Sequence, residues 1–347
     1  MNGPGKKIKA SEFIAKTEEI PVIDVRSPAE YSYGHIPGAI NIPLFNNEER
    51  EIVGKTYKKE GRQKAILKGL EIAGDSMTAK LKMALDVAVD DRLLVHCWRG
   101  GMRSEAMSWL FSLGDITTEL LEGGYKSYRS HVLQKLSEKH DYIILGGLTG
   151  SGKTDILKYL KGEGHQVIDL EGIACHRGSA FGSLGQDRQP TSEHFANLLY
   201  DEIRKMDHKK PIWLEDESRN IGTVFMPDAF YINMQESPVI AILMDVPTRM
   251  PRLLDEYAKY PADELKASVM RISKRLGGVN TSRSLVSIDS GNFSKAVEIT
   301  LDYYDKAYLH GIKRKPGKNV RYLESGVDDI AKNAEAVLGI YKNLKSG

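Results

Sequence analysis

The chain predicts two successive α/β units, each a parallel sheet flanked by helices. Three observations carry that expectation. Short apolar runs alternate with longer segments of helical spacing, and such an alternation packs as a parallel sheet covered on both faces. The length of 347 residues exceeds a typical single domain and suits two. Two of the apolar runs end in glycine-rich, cationic loops, at 97–104 and 147–154, each followed by a helical stretch. The expected division is a first domain over 1–135, with its core at about 10–130, and a second over 136–347 with a helical C-terminal region.

In the first unit, residues 21–26 (PVIDVR) read as a short buried strand ending in a polar turn. Ser27 follows as a helix N-cap, with Pro28 at the first helical position and Glu30 three residues after the cap. Residues 39–43 (AINIP) are another strand. From 46 to 85, charged residues with helical spacing of apolar ones predict two or three helices. Residues 92–96 (RLLVH) form a buried strand that delivers Cys97, and 104–113 are helical. Residues 118–124 (TELLEGG) are a last strand ending in a glycine turn. A helix over 125–138 bridges to the second unit. There, 141–146, 166–170, 211–214 and 239–244 supply strands, and the chain from Pro247 onward reads as largely helical.

Hydrophobic residues at 41% and charged residues at 28% supply material for two cores in an ordinary globular chain. A net charge of +2 neither demands nor excludes nucleic acid, because local patches decide binding. No apolar run approaches membrane-spanning length. The first ten residues are polar and lysine-rich, with no apolar stretch after them, so no secretory signal is expected. Only two cysteines, Cys97 and Cys175, occur, and they fall in different units. That argues against a disulfide framework and fits a reducing cytoplasm. No close Cys/His set has zinc spacing.

A cysteine thiolate is the reactive form, and its pKa falls at a helix N-terminus beside cations. Cys97 has that setting. Gly100 and Gly101 let successive amides curl inward as an anion nest, Arg99 and Arg103 add positive charge, and the helix near Ser104 adds its dipole. Cys97, Arg99 and Arg103 are therefore the candidate catalytic residues. The bland alternative, a buried core cysteine, does not explain the two glycines and two arginines around it.

Residues 147–154 (GLTGSGKT) fit G-x-x-x-x-G-K-[ST] after an apolar strand and before a helix. Gly147, Gly150, Ser151 and Gly152 form a turn whose amides cradle a diphosphate. Lys153 neutralises phosphate oxygens, and Thr154 can ligate Mg²⁺. Glu215 and Asp216 end a later strand and are the other candidate Mg²⁺ ligands, against an equal reading as a solvated acidic turn. Asp216 and Arg177 are further candidates for binding the phosphate ligand, Arg177 as a bidentate clamp. Cys175 has no loop like that of Cys97. Such a loop reads a diphosphate and not the group attached to it.

At residues 10 to 130 the chain resembles the rhodanese family. The match rests on Asp24-Val25-Arg26-Ser27-Pro28-Ala29-Glu30-Tyr31, then Gly34-His35-Ile36-Pro37-Gly38-Ala39, and the Cys97 loop. The resemblance implies a persulfide-type sulfur-transfer role for Cys97, with Asp24 and Arg26 tying the loop to the sheet. The interval from Cys97 to Arg103 is one residue longer than in the usual sulfurtransferase loop. It is similar to the loop of rhodanese-fold phosphatases, which accepts a tetrahedral phosphate-like group. The fold class implied is an N-terminal rhodanese-like domain followed by a C-terminal P-loop NTPase-like, doubly wound domain. With His176-Arg177-Gly178-Ser179 and Glu215-Asp216-Glu217-Ser218 added, the whole chain resembles the tRNA 2-selenouridine synthases. That resemblance implies a tRNA bearing wobble 2-thiouridine as substrate. It implies geranyl diphosphate and selenophosphate as co-substrates, no tightly bound cofactor, and a selenophosphate-supplying enzyme as a partner. Cys97 would attack or accept selenium, a perselenide being one form.

Candidate tRNA patches are Lys58-Lys59 with Arg62 and Lys64, Lys205 with Lys209-Lys210, and Lys313-Arg314-Lys315 with Lys318. Tyr57, Tyr125 and Tyr128 are candidates to stack on unpaired bases. Three rival functions stay open at this level. A kinase or NTPase with an accessory rhodanese module predicts ATP turnover. A rhodanese-fold phosphatase or arsenate reductase, and a thiol-carrying scaffold, leave the second loop without a use.

Overall fold

The computed structural model describes residues 5–314 and 319–346. They divide into two compact units, Met1–Lys135 with Ala196–Tyr200, and Leu136–Phe195 with Asp201–Gly347.

The first unit runs β1 (Lys6–Ile8), α1 (Ala10–Ala15), β2 (Val22–Asp24), α2 (Pro28–Tyr33), β3 (Ile40–Asn41), α3 (Asn47–Glu60), α4 (Arg62–Gly74), α5 (Met77–Val87), β4 (Arg92–His96), α6 (Met102–Ser112), β5 (Thr117–Leu121) and α7 (Gly124–Leu136). Its sheet is parallel throughout, in the order β1-β5-β4-β2-β3. β4 is central, so its residues from Leu93 to His96 are buried, and the chain leaves its C-terminal end directly into Cys97. Ligands of open α/β sheets bind at such strand ends, where successive connections turn opposite ways. Ile23, Val25, Val95, Met107, Phe111 and Leu120 build the core around it. The capping box at α2 forms, with the Glu30 carboxylate accepting the Ser27 N–H at 3.1 Å.

The second unit runs β6 (Tyr142–Gly147), α8 (Lys153–Gly162), β7 (Gln166–Ile168), α9 (Leu170–Ala174), α10 (Ser192–Ile203), β8 (Ile212–Glu215), β9 (Asn220–Ile221), β10 (Val224–Phe225), α11 (Asp228–Glu236), β11 (Val239–Leu243), α12 (Val246–Tyr257), α13 (Ala262–Arg271), α14 (Ser273–Leu276), α15 (Gly278–Asp289), α16 (Phe293–Ile312), β12 (Val320–Glu324) and α17 (Ile330–Ser346). Its main sheet is also parallel, in the order β12-β11-β6-β8-β7. Every residue of central β6 is buried, and β6 feeds the glycine loop at 147–154. Helices α12 to α16 form a module with its own core, including Leu265, Val269, Ile272, Leu276 and Ile288.

Two edge strands depart from the sequence expectation. β12 lies in a region read as helical. It pairs with β11 over five residues, yet none of its residues is fully buried. β1 is short, with only Ile8 buried. Edge strands with a wet face lack the continuous apolar run that marks central parallel strands.

Candidate active site

In the first unit the cysteine loop is pressed against the turn after β5. Gly100 and Gly124 both have left-handed backbones, with φ +64° and +62°. A Cβ on Gly124 would sit 2.4 Å from the Cys97 carbonyl oxygen, and one on Gly100 would sit 2.5 Å from that of Leu121. Only glycine permits this approach. The first-turn amides of α7 then donate to the loop: Tyr125 N–H to the Cys97 carbonyl at 2.8 Å and Lys126 N–H to that of Trp98 at 3.0 Å.

Cys97 is 3% exposed, so its sulfur lies at the floor of this loop. The Ser104 hydroxyl donates to Sγ at 3.3 Å. Burial works against the thiolate, but Ser104, the Arg103 charge and the amides of Arg99 and Gly101 outweigh it and lower the thiol pKa. Arg103 is held in place by Glu30, 2.7 Å away, while the Arg99 side chain is exposed. Below the loop, Asp24 and Arg26 form a fully buried pair at 2.6 Å. Arg26 also donates to the Gly34 carbonyl at 2.7 Å and stacks 3.8 Å from the Tyr125 ring centroid. His96 is fully buried beside them. Burial pushes its pKa down to about 4, against the opposing pull of Asp24.

In the second unit the phosphate loop has left-handed glycines at 150 and 152, with φ +80° and +79°. The Leu148 N–H donates to the Ile242 carbonyl at 3.1 Å, anchoring the loop to β11. Lys153 curls over its own loop, donating to the Gly147 and Leu148 carbonyls at 3.0 and 3.2 Å. Burial lowers its pKa, while Glu171, Glu217, Asp216 and Glu215 pull it back up. The Ser151 hydroxyl is buried with no hydrogen-bond partner. A buried polar atom without a partner is costly, and a bound phosphate oxygen would satisfy this one.

The hydroxyl and acids around the loop have partners within the fold. The Thr154 hydroxyl donates to Glu171 at 3.2 Å. Glu215 accepts the Leu170 N–H at 3.1 Å, its other oxygen is unpaired, and burial with neighbouring acids pushes its pKa up to about 8. Asp216 accepts the Tyr308 hydroxyl at 3.3 Å. Glu217 and Glu171 share a hydrogen bond, and burial pushes the Glu217 pKa well above the ordinary carboxylate value. Among the described residues, no group of three or more His, Cys, Asp or Glu side chains is set to hold a metal ion. Thr154, Glu215 and Asp216, the candidate Mg²⁺ ligands, each have a protein partner here. Arg177 is paired with Glu256.

Sequence reasoning missed Ser104 and Glu30 as the groups that tune and hold the cysteine loop. It missed Arg249 as well, which is 1% exposed and donates to the Thr149 carbonyl at 2.8 Å. No periodicity marks such residues, and the partners of Glu30 and Arg249 are distant in sequence. Two base-stacking candidates are corrected. Tyr125 and Tyr128 are 0% and 2% exposed and pack together in the core, whereas Tyr57 is exposed. Lys58, Lys59, Arg62 and Lys64 lie on α3 and α4, Lys64 paired with Glu60. Lys205 is paired with Asp201, and Lys209 and Lys210 are exposed. Lys313 and Arg314 are exposed, while Lys315 and Lys318 lie outside the described residues.

Residues 9–131 match the family model described as a rhodanese-like domain, and residues 140–335 match that described as the tRNA 2-selenouridine synthase AAA domain. The class is therefore a rhodanese-like sheet with a cysteine loop, fused to a P-loop-type sheet with a phosphate loop. The chain is 32% identical to the tRNA 2-selenouridine synthase of Nitrosomonas eutropha, covering 91% of this chain and 94% of that protein. It is 34% identical to the synthase of Proteus mirabilis, covering 86% and 91%. With that of Sulfurovum sp. the identity is 39%, covering 74% and 76%. The chain belongs to the tRNA 2-selenouridine synthase family. No described helix is long and apolar enough to cross a membrane.

Proposed function

We propose that this chain is a cytoplasmic transferase that converts wobble 2-thiouridine in tRNA to 2-selenouridine, in two steps served by two loops. The observation that carries the reading is their chemical difference. One loop holds a thiol whose pKa is lowered by Ser104 and Arg103. The other holds a lysine and an unpartnered hydroxyl, Ser151, in a glycine turn.

In the first step geranyl diphosphate sits with its diphosphate in the 147–154 loop. The 2-thio sulfur attacks the first geranyl carbon, the carbon–oxygen bond breaks, its electron pair leaves with diphosphate, and the base gives up its N3 proton. Lys153 and the loop amides stabilise the departing charge. In the second step selenophosphate is the tetrahedral anion for the Cys97 loop, steadied by Arg99 and Arg103. Transfer of selenium to sulfur as a neutral atom would leave phosphorus two electrons richer. Attack of the Cys97 thiolate on phosphorus balances instead. The S–P bond forms, the P–Se bond breaks, and selenium leaves as selenide. Selenide then displaces the geranylated sulfur at C2 as a thiolate, and water releases phosphate from Cys97. A selenophosphate-supplying enzyme is the partner this step requires.

Incubating the protein with 2-thiouridine tRNA, geranyl diphosphate and selenophosphate, followed by nucleoside mass analysis, tests the reading. Cys97→Ala is expected to accumulate geranylated nucleoside without selenium, and Lys153→Ala to make neither product from 2-thiouridine. Selenium incorporation by Cys97→Ala, or undiminished geranyl transfer by Lys153→Ala, removes the assignment.

A further inference from the structure

We propose that the helical module of the second unit is the binding site for the hydrocarbon tail of the diphosphate substrate, and that its inner wall sets the length of tail accepted. This rests on the reading of the 147–154 loop as a diphosphate site. It adds the place, the ligand class and the residues that discriminate.

A narrow apolar cleft opens among α12, α13, α15 and α16. Leu253, Tyr257, Val269, Ile288, Phe293 and Ala296 are among its walls. One further wall residue, Thr149, belongs to the phosphate loop itself. Leu253 also lies hard against that loop, since a Cβ on Gly150 would come within 2.8 Å of it. The cleft therefore begins where the diphosphate would sit, and a tail esterified to that diphosphate has a direct way in. Away from Thr149, its walls include Leu265, Val269, Ile288 and Ala296, which also belong to the module's own core.

The chemistry of the wall selects the occupant. Two of its polar groups are already engaged within the fold. The Thr300 hydroxyl donates to the Ala296 carbonyl at 3.0 Å, and the Tyr304 hydroxyl accepts the Ala180 N–H at 3.0 Å. A ribose or a base entering this cleft would leave its own donors and acceptors unpaired, which is costly in an apolar site. A branched hydrocarbon loses nothing polar and gains burial on entering. A phosphate loop whose neighbouring cleft is hydrocarbon-lined suits an acyclic isoprenyl diphosphate, not a nucleotide. The rim is held by Arg249, which donates to the Thr149 carbonyl and is itself fixed by Asp305 at 2.5 Å.

The test uses the full chain, 2-thiouridine tRNA and three probes: geranyl diphosphate, farnesyl diphosphate and inorganic diphosphate. Ala296→Phe fills the cleft. It is expected to raise KM for geranyl diphosphate about tenfold or more, with inhibition by inorganic diphosphate unchanged. Ile288→Ala opens the inner end and is expected to raise kcat/KM for farnesyl relative to geranyl diphosphate about tenfold. Because Ile288→Ala adds no bulk, it keeps the test decisive if Ala296→Phe folds poorly. An unchanged geranyl KM in a folded Ala296→Phe protein, or an unchanged farnesyl-to-geranyl ratio in Ile288→Ala, overturns the proposal. If the unsubstituted protein is not inhibited by inorganic diphosphate, the diphosphate-loop reading itself fails, and the tail site falls with it.

Discussion

Gly124 shows how much of the first site is set by the absence of a side chain. The Cys97 carbonyl occupies the space a Cβ would need, and the backbone there is left-handed. Sequence reading placed a glycine turn here but gave no hint that the turn props the cysteine loop, 27 positions earlier. His96 makes a second point at this scale. It is buried neutral, stacked on Tyr125 at a centroid distance of 6.0 Å, and neither ring nitrogen has a hydrogen-bond partner. Its pKa is about 4 in the fold, against an ordinary 6.5. Folding therefore disfavours the charged ring. The stability this contributes is complete above pH 6.5 and is lost as pH falls through 4, roughly 3 kcal/mol in all. Urea unfolding at pH 7 and pH 4 should show that loss in the unsubstituted protein. His96→Phe, which cannot charge, should show a smaller one. Equal acid losses in the two proteins would contradict the assignment. Asp24 and Glu30 have lowered pKa values, so their own losses fall at lower pH.

At the scale of elements, the strands that carry function were the readable ones. β4 and β6 are central in parallel sheets and buried on both faces, so each stands out as an unbroken apolar run. Their loops were legible because glycines and cations follow such runs directly. β1 and β12 sit at sheet edges and lack that pattern. The tyrosines of α7 were misjudged because nearness to lysine in sequence does not say which face a side chain takes. Tyr125 and Tyr128, three apart, share the buried face. The link from α12 and α16 to the phosphate loop was also invisible, since Arg249, Asp305 and Thr149 meet only in the fold. Arg249→Met leaves Asp305 without its guanidinium and should cost about 3–5 kcal/mol, read from urea midpoints. Adding Asp305→Leu should recover much of that loss. A double variant no more stable than Arg249→Met would show that the pair does not hold the module to the loop.

At the scale of the whole molecule, the two units carry different chemistries. The first unit offers a sulfur with a lowered pKa under a cationic loop. The second offers a glycine turn with a half-buried lysine beside a hydrocarbon-lined cleft. The two proposed co-substrates come from the family resemblance. The longer interval from Cys97 to Arg103 was also legible in the sequence, and what the structure adds is the apolar cleft beside the 147–154 loop. The most direct test separates the steps in time. Geranylated tRNA prepared with Cys97→Ala is purified and given, with selenophosphate and no geranyl diphosphate, to Lys153→Ala. Conversion to 2-selenouridine is the expected result, because the proposed second step needs only the cysteine loop. Geranylated tRNA that passes through Lys153→Ala unchanged, while the unsubstituted protein converts it, would contradict the division of labour.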